Sequence, residues 1–139
     1  MKNRFFRVLQ YRAIVGDSFP HERKDSSEAT IKVEIIDSSG TTKVVLEAAD
    51  SDGPIGALDK ALRKALAGSF PAISRVRLVD YGVLKQKVDM GAESPVEVTI
   101  SSTDEVKTWV TKKVSTNIIR ASLEAMVESI EKELTHLSA

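Results

Sequence analysis

From Ile31 to Ile35 apolar and polar residues alternate strictly, with Lys32 and Glu34 set between Ile31, Val33 and Ile35. A period of two is what a sheet with one buried face demands, so this segment reads as a strand. Ser38-Ser39-Gly40-Thr41 follows as a tight turn, and Val44, Leu46 and Ala48 alternate beyond it, which predicts a hairpin. The period then changes to that of a helix. Ile55, Leu58, Leu62, Ala65 and Leu66 form a stripe opposite Asp59, Lys60, Arg63 and Lys64. Pro54 suits the first helical position, where a missing N–H costs nothing.

The same plan recurs further on. Arg7-Val8-Leu9-Gln10-Tyr11-Arg12-Ala13-Ile14 lines up with Arg77-Leu78-Val79-Asp80-Tyr81-Gly82-Val83-Leu84 at an offset of 70, anchored by the two tyrosines. Ile31, Val33 and Ile35 match Val96, Val98 and Ile100 at an offset of 65, which places five extra residues in the loop after the first tyrosine strand. Ser51-Asp52-Gly53-Pro54-Ile55 sits over Ser115-Thr116-Asn117-Ile118-Ile119 at an offset of 64. A polar turn around Ser102 to Asp104 and a strand through Trp109 complete the second set. Its helix carries Ile119, Leu123, Met126, Val127, Ile130, Leu134 and Leu137, with Arg120, Glu124, Glu128, Glu131 and Lys132 on the other side. Gly16 to Ala29 reads as the one long loop. The fold class is α+β: two pseudo-repeated βββα units, about 4–70 and about 71–139, packed in one domain 1–139. Three strands and one helix per unit leave sheet area that a single amphipathic helix need not cover, which predicts a homodimer, because symmetric pairing would hide it.

Composition narrows the chemistry. At 139 residues and 42% hydrophobic the chain can bury a sizeable core. Twenty basic residues balance twenty acidic ones, so the field expected of a nucleic-acid binder is missing. The absence of cysteine excludes disulfides, thiolate metal sites and thiol nucleophiles, and His21 and His136 are too far apart in sequence to suggest a metal cluster. No apolar run is long enough for a membrane span or a secretory signal, which leaves a cytoplasmic setting as the expectation. No Gly-rich phosphate loop or Ser/His/Asp set appears, and Glu124, Glu128 and Glu131 read as a solvated helix face. The expectation is a binding module with no catalytic residue and no metal. Asp52-Gly53-Pro54 and Ser115-Thr116-Asn117 are helix starts whose first N–H groups could receive a carboxylate, or simply capped helices, with Asp52 as the cap of the first. Tyr11 and Tyr81 are either ligand-lining or half-buried strand aromatics, and Trp109 reads as partly buried or an oligomer contact.

Three segments in order resemble a known family. They are Asp52-Gly53-Pro54-Ile55-Gly56-Ala57-Leu58-Asp59-Lys60-Ala61-Leu62, then Leu78-Val79-Asp80-Tyr81, then Asn117-Ile118-Ile119-Arg120-Ala121-Ser122 after Trp109, Val114 and Ser115. The chain is similar, from about Arg7 to Leu134, to the C-terminal regulatory domain of the α-isopropylmalate synthase and citramalate synthase family. The resemblance implies an allosteric domain that dimerises and binds the pathway's end-product amino acid at or near the dimer interface, isoleucine before leucine. The citramalate branch is favoured; a 2-isopropylmalate synthase domain and a dimerisation-only domain that has lost its effector are the alternatives. It further implies an upstream catalytic barrel, with acetyl-CoA and a divalent metal confined to that barrel and no cofactor in this segment. Carried over residue by residue, the effector-binding positions are Asp52, Gly53, Pro54, Leu78, Tyr81, Ser94, Val96, Ser115, Thr116 and Asn117. Ser51 stands where the family commonly has its first glycine, and Lys112-Lys113 replaces a Thr or Val followed by Gly. Leu78 and Tyr81 have opposite parity on an ideal strand, so both line one pocket only if the strand bends or two subunits contribute.

Overall fold

A computed structural model describes residues 5–16, 26–85 and 94–138. Its elements run β1 (Phe6–Gly16), β2 (Ser26–Ile36), β3 (Thr42–Ser51), α1 (Pro54–Ala67), a 3-10 turn (Pro71–Arg75), β4 (Arg77–Lys85), β5 (Val96–Thr103), β6 (Thr108–Ser115) and α2 (Ile118–Ser138). The strands form two antiparallel three-stranded sheets, ordered β1-β2-β3 and β4-β5-β6. This is the α+β, doubled βββα plan that the sequence predicts. The chain divides into two compact units, Met1–Pro71 and Ala72–Ala139.

In the first unit the alternation in β2 sends Ala29, Ile31, Val33 and Ile35 to one face, where all four are buried. α1 lies against β2 and β3 and buries Ala57, Leu58, Ala61, Leu62, Ala65 and Leu66. Truncating one of these leucines, Leu62 for example, leaves a cavity and costs about 2–5 kcal/mol. The β2–β3 turn is held by Asp37, whose Oδ1 accepts from the N–H of Ser39 and of Thr41 at 2.9 Å each. Gly40 takes φ +86°, a conformation that only glycine adopts without strain. Hydrogen bonding, led by the Ser39 hydroxyl, holds the Asp37 carboxyl below its ordinary range.

Four features depart from the sequence-based reading. β1 continues to Gly16 and β2 starts at Ser26, so the long loop predicted from Gly16 to Ala29 is cut short at both ends; His21 lies outside the described residues. The second-strand offset is also different. Tyr11 pairs with Ile31 and Tyr81 with Ile100, so β2 maps onto β5 at an offset of 69, and the five extra residues belong to the β2–β3 hairpin. An error of four residues was invisible to periodicity, because any even shift keeps every side chain on its face. On β3, Val45, Glu47 and Ala49 share the helix-covered face with Val33, Ile31 and Ala29, while Val44 and Leu46 are 58% and 64% exposed on the other. The turn before β6 spans Asp104 to Lys107, later than expected, with Glu105 at φ +78°.

Candidate functional site

The two helix starts, equivalent in sequence, are different in structure. At α1 the N-cap is Gly53, extended at φ −143°, ψ 166°, with no side-chain cap bond; Asp52 is therefore not the cap. Pro54 has no N–H, so Ile55 and Gly56 carry the amide donors that a cap would otherwise take. At α2 the Oδ1 of Asn117 accepts from the N–H of Ile119 at 3.0 Å and of Arg120 at 3.2 Å, and Ser115 Oγ accepts from the N–H of Asn117 at 3.0 Å. The second start is filled by its own side chain. Of the two readings of this start, the simple cap is the one its side chains make. Thr116 is exposed beside it.

β4 resolves the parity of Leu78 and Tyr81. A bulge at Val79 shifts the register, so Leu78 pairs with Ser102 and Tyr81 with Ile100, two residues apart on β5 and on one face. β1 carries the same bulge at Leu9, between Val8 and Gln10, the equivalent point of the repeat. Val96 and its partner Ser115 lie on that same face of the second sheet, and Ser94 is buried just before β5. Seven of the ten predicted positions therefore belong to the second unit, with Leu78, Tyr81, Val96 and Ser115 on one sheet face. Asp52, Gly53 and Pro54 belong to the first.

That face of the second sheet is covered by α2, where Val98 and Ile100 are buried with Ala121, Leu123, Ala125, Met126 and Ile130, and polar contacts are set among them. The Tyr81 and Ser122 hydroxyls lie 2.7 Å apart, and Thr111 Oγ1 donates to the carbonyl of Ala125 at 2.9 Å. Ser102 and Ser129 hydroxyls meet at 2.6 Å, and the Trp109 indole N–H, half-buried as expected, reaches the Ser129 carbonyl and hydroxyl at 3.0 Å each. Lys107 Nζ donates to Glu133 Oε1 at 2.6 Å and Asp104 Oδ2 at 2.7 Å, and stands 5.0 Å from the Trp109 ring centre. Asp104 first and Glu133 second raise the Lys107 ammonium above its usual range. Sequence reasoning missed this seam. Small hydroxyl residues at helical spacing are its only signal.

Glu131 departs from expectation. It is 8% exposed instead of solvated, and its Oε1 has no hydrogen-bond partner among the described residues. Burial, with Glu128 as the lesser cause, pushes its carboxyl above the ordinary range. Two open clefts of about 750 and 520 Å³ lie in the first unit, one beside Phe5, Asp37 and Phe70, the other beside Arg12, Glu28 and Lys64. Neither includes a predicted effector residue. Among the described residues no group of three or more His, Asp or Glu is placed to hold a metal ion, and no helix is long and apolar enough to cross a membrane.

The architecture is that of a doubled βββα module, with one helix start capped at glycine and the other capped by an asparagine side chain. The chain belongs to the LeuA allosteric (dimerisation) domain family, whose profile matches residues 2–134. It is 40% identical over 132 residues to the (R)-citramalate synthase of Geobacter sulfurreducens, covering 94% of this chain and 24% of that protein. The (R)-citramalate synthase of Sulfolobus acidocaldarius is 43% identical over 86 residues, 62% of this chain and 16% of that protein. That of Synechocystis is 38% identical over 110 residues, 79% of this chain and 19% of that protein. The chain spans about a quarter or less of the length of these relatives.

Proposed function

We propose that this chain is the feedback-regulatory domain of a citramalate synthase, an acetyl-CoA-condensing 2-oxo acid synthase of isoleucine biosynthesis in the cytoplasm, working as a homodimer attached to a catalytic barrel. The relatives named above support the parent activity. The observation that carries effector binding is the α1 start, where the amides of Ile55 and Gly56 follow an N-cap without a side-chain acceptor. Such a terminus suits a carboxylate, by hydrogen bonding and by the helix dipole together. The effector is a branched-chain amino acid, isoleucine before leucine, and its residues are Asp52, Gly53, Pro54, Leu78, Tyr81, Ser94, Val96, Ser115, Thr116 and Asn117. Tyr81 offers its ring, since its hydroxyl is engaged with Ser122. Asn117 contributes by shaping its helix start, since its Oδ1 occupies the amides there.

Dimerisation has its own support in the outer sheet faces, where Ile14, Val44 and Leu46 on the first sheet and Leu84, Val110 and Val114 on the second are exposed. Apolar surface of that kind is stabilised by pairing with a second copy. Isothermal titration with isoleucine, leucine and valine tests the effector. Saturable heat with isoleucine, and a raised melting temperature by mass action, are the expected results. The isomers differ by the placement of one methyl group, worth roughly 1–3 kcal/mol, so selectivity is graded. Tyr81→Ala should weaken the ligand-induced thermal shift while light scattering still shows a dimer. No heat and no thermal shift at millimolar isoleucine and leucine refute effector binding and leave dimerisation alone; a mass of about 15 kDa at all micromolar concentrations refutes the dimer.

A further inference from the structure

The repeat permits a controlled comparison between the two helix–sheet seams. At the offset of 64 that relates the helix starts, Ser122, Ala125 and Ser129 of α2 correspond to Leu58, Ala61 and Ala65 of α1. On the sheet side Ser102 corresponds to Val33 by its pairing with Leu78, as Val33 pairs with Val8. Where the first unit buries Val33 and Ala65, the second buries a Ser102–Ser129 hydrogen bond. The architecture therefore closes with an apolar seam at these positions and does not require a polar one. Yet Ser102, Thr111, Ser122, Ser129 and Glu133 are all at most 3% exposed.

The two kinds of seam respond differently to displacement. Apolar side chains lose contact gradually, whereas buried hydroxyls displaced by one residue leave donors and acceptors unpaired together. A helix whose apolar seam carries such hydroxyl rungs therefore has one register in which all of them are satisfied, and leaving it admits water at the rungs. The rungs are also unequal along α2. Its C-terminal half is fixed by Trp109, Ser129, Lys107 and Glu133, with a charged bond among them. Its N-terminal half is held by the buried side chains of Ala121, Leu123, Ala125 and Met126, and among polar groups by the buried Thr111 rung and the Tyr81–Ser122 bond, whose tyrosine is half-exposed at the open end of the row.

We propose that α2 is a switchable helix whose latch is the Tyr81–Ser122 hydroxyl pair: opening that pair lets residues 118–126 part from the sheet more often, against the Thr111–Ala125 bond and the buried Ala121, Leu123 and Met126, while 127–138 stay seated and α1 does not respond. The trigger rests on the effector reading above, in which Tyr81 faces the bound amino acid; the latch itself does not. An effector that pulls the Tyr81 ring away from Ser122 would bias α2 towards release, a change that a catalytic domain could read.

Hydrogen exchange followed by mass spectrometry on the full 139-residue chain tests this, with Tyr81→Phe as the variant and Ser122→Ala removing the same bond from the helix side. The expected result is exchange about tenfold faster in 118–126, the scale of one net hydrogen bond, with 54–67 and 127–138 unchanged. Trp109 fluorescence should stay at its wild-type maximum. Unchanged exchange in 118–126 overturns the proposal, and so does a uniform rise across both helices, which would mean ordinary loss of stability. In the wild type, isoleucine that raises the melting temperature and also alters exchange in 118–126 supports the trigger. A thermal shift without that change overturns the switch and leaves the effector reading standing. No thermal shift overturns the effector reading, and the variants then decide the latch alone.

Discussion

Replacing Glu131 with leucine should stabilise this protein at neutral pH. The side chain is 8% exposed and its Oε1 has no hydrogen-bond partner among the described residues, so the folded state holds a desolvated carboxyl oxygen without a hydrogen bond. Leaving such a group unsatisfied costs about 1–3 kcal/mol, and leucine removes the cost while continuing the apolar run of Val127, Ile130 and Leu134. For a cooperative chain of this length about 1 kcal/mol moves the melting temperature by about 3 °C, so the gain is about 3–10 °C. Acid provides the check on cause. Burial first, and Glu128 second, raise the folded-state carboxyl above its ordinary value of 4.5. The native state thus binds the proton more tightly than the unfolded chain, and the wild-type penalty shrinks as pH falls through the raised value. Calorimetric melts of both proteins at pH 7 and pH 5 should show a gain that is largest at pH 7. A variant no more stable than wild type at pH 7, or a gain that grows on acidification, refutes the argument.

Gly56→Ala should destabilise despite the better helix propensity of alanine, because a Cβ there would stand 2.8 Å from Ser51 Oγ and 3.3 Å from its Cβ. With Ser51→Gly added the same change should gain up to about 1 kcal/mol in denaturant titrations, and an equal effect in both backgrounds would refute the clash. Asn117→Ala should cost about 0.5–2 kcal/mol in the same assay, since two amides of α2 lose their acceptor; a neutral result would mean water replaces the cap without loss. We also propose that the two units act as one domain, so residues 1–71 alone, small and with Ile14, Val44 and Leu46 exposed, should show no cooperative thermal transition. A sharp calorimetric peak from that fragment would refute it.

Local periodicity and turn chemistry determined the element types, their order and the repeat: β2 from Ile31, Val33 and Ile35, the turn at Gly40, α1 from Pro54, and α2 from its stripe of Ile119 to Leu134. These depend on neighbours within a few residues, so sequence carries them in full. The resemblance across Gly53-Pro54, Asp80-Tyr81 and Asn117-Ile118-Ile119 likewise placed the family that the profile over 2–134 confirms. Register was beyond its reach, because an even shift of a strand preserves the pattern of faces, and so β2 and β5 were matched four residues out. The bulge at Val79, which puts Leu78 and Tyr81 on one face, arises from pairing with β5 and leaves no mark in β4 itself. The burial of Glu131 and the hydroxyl rungs beneath α2 are decided by which atoms meet across elements far apart in the chain. A serine reads the same in sequence whether its hydroxyl faces water or is paired in the core; only the tertiary structure supplies its partner.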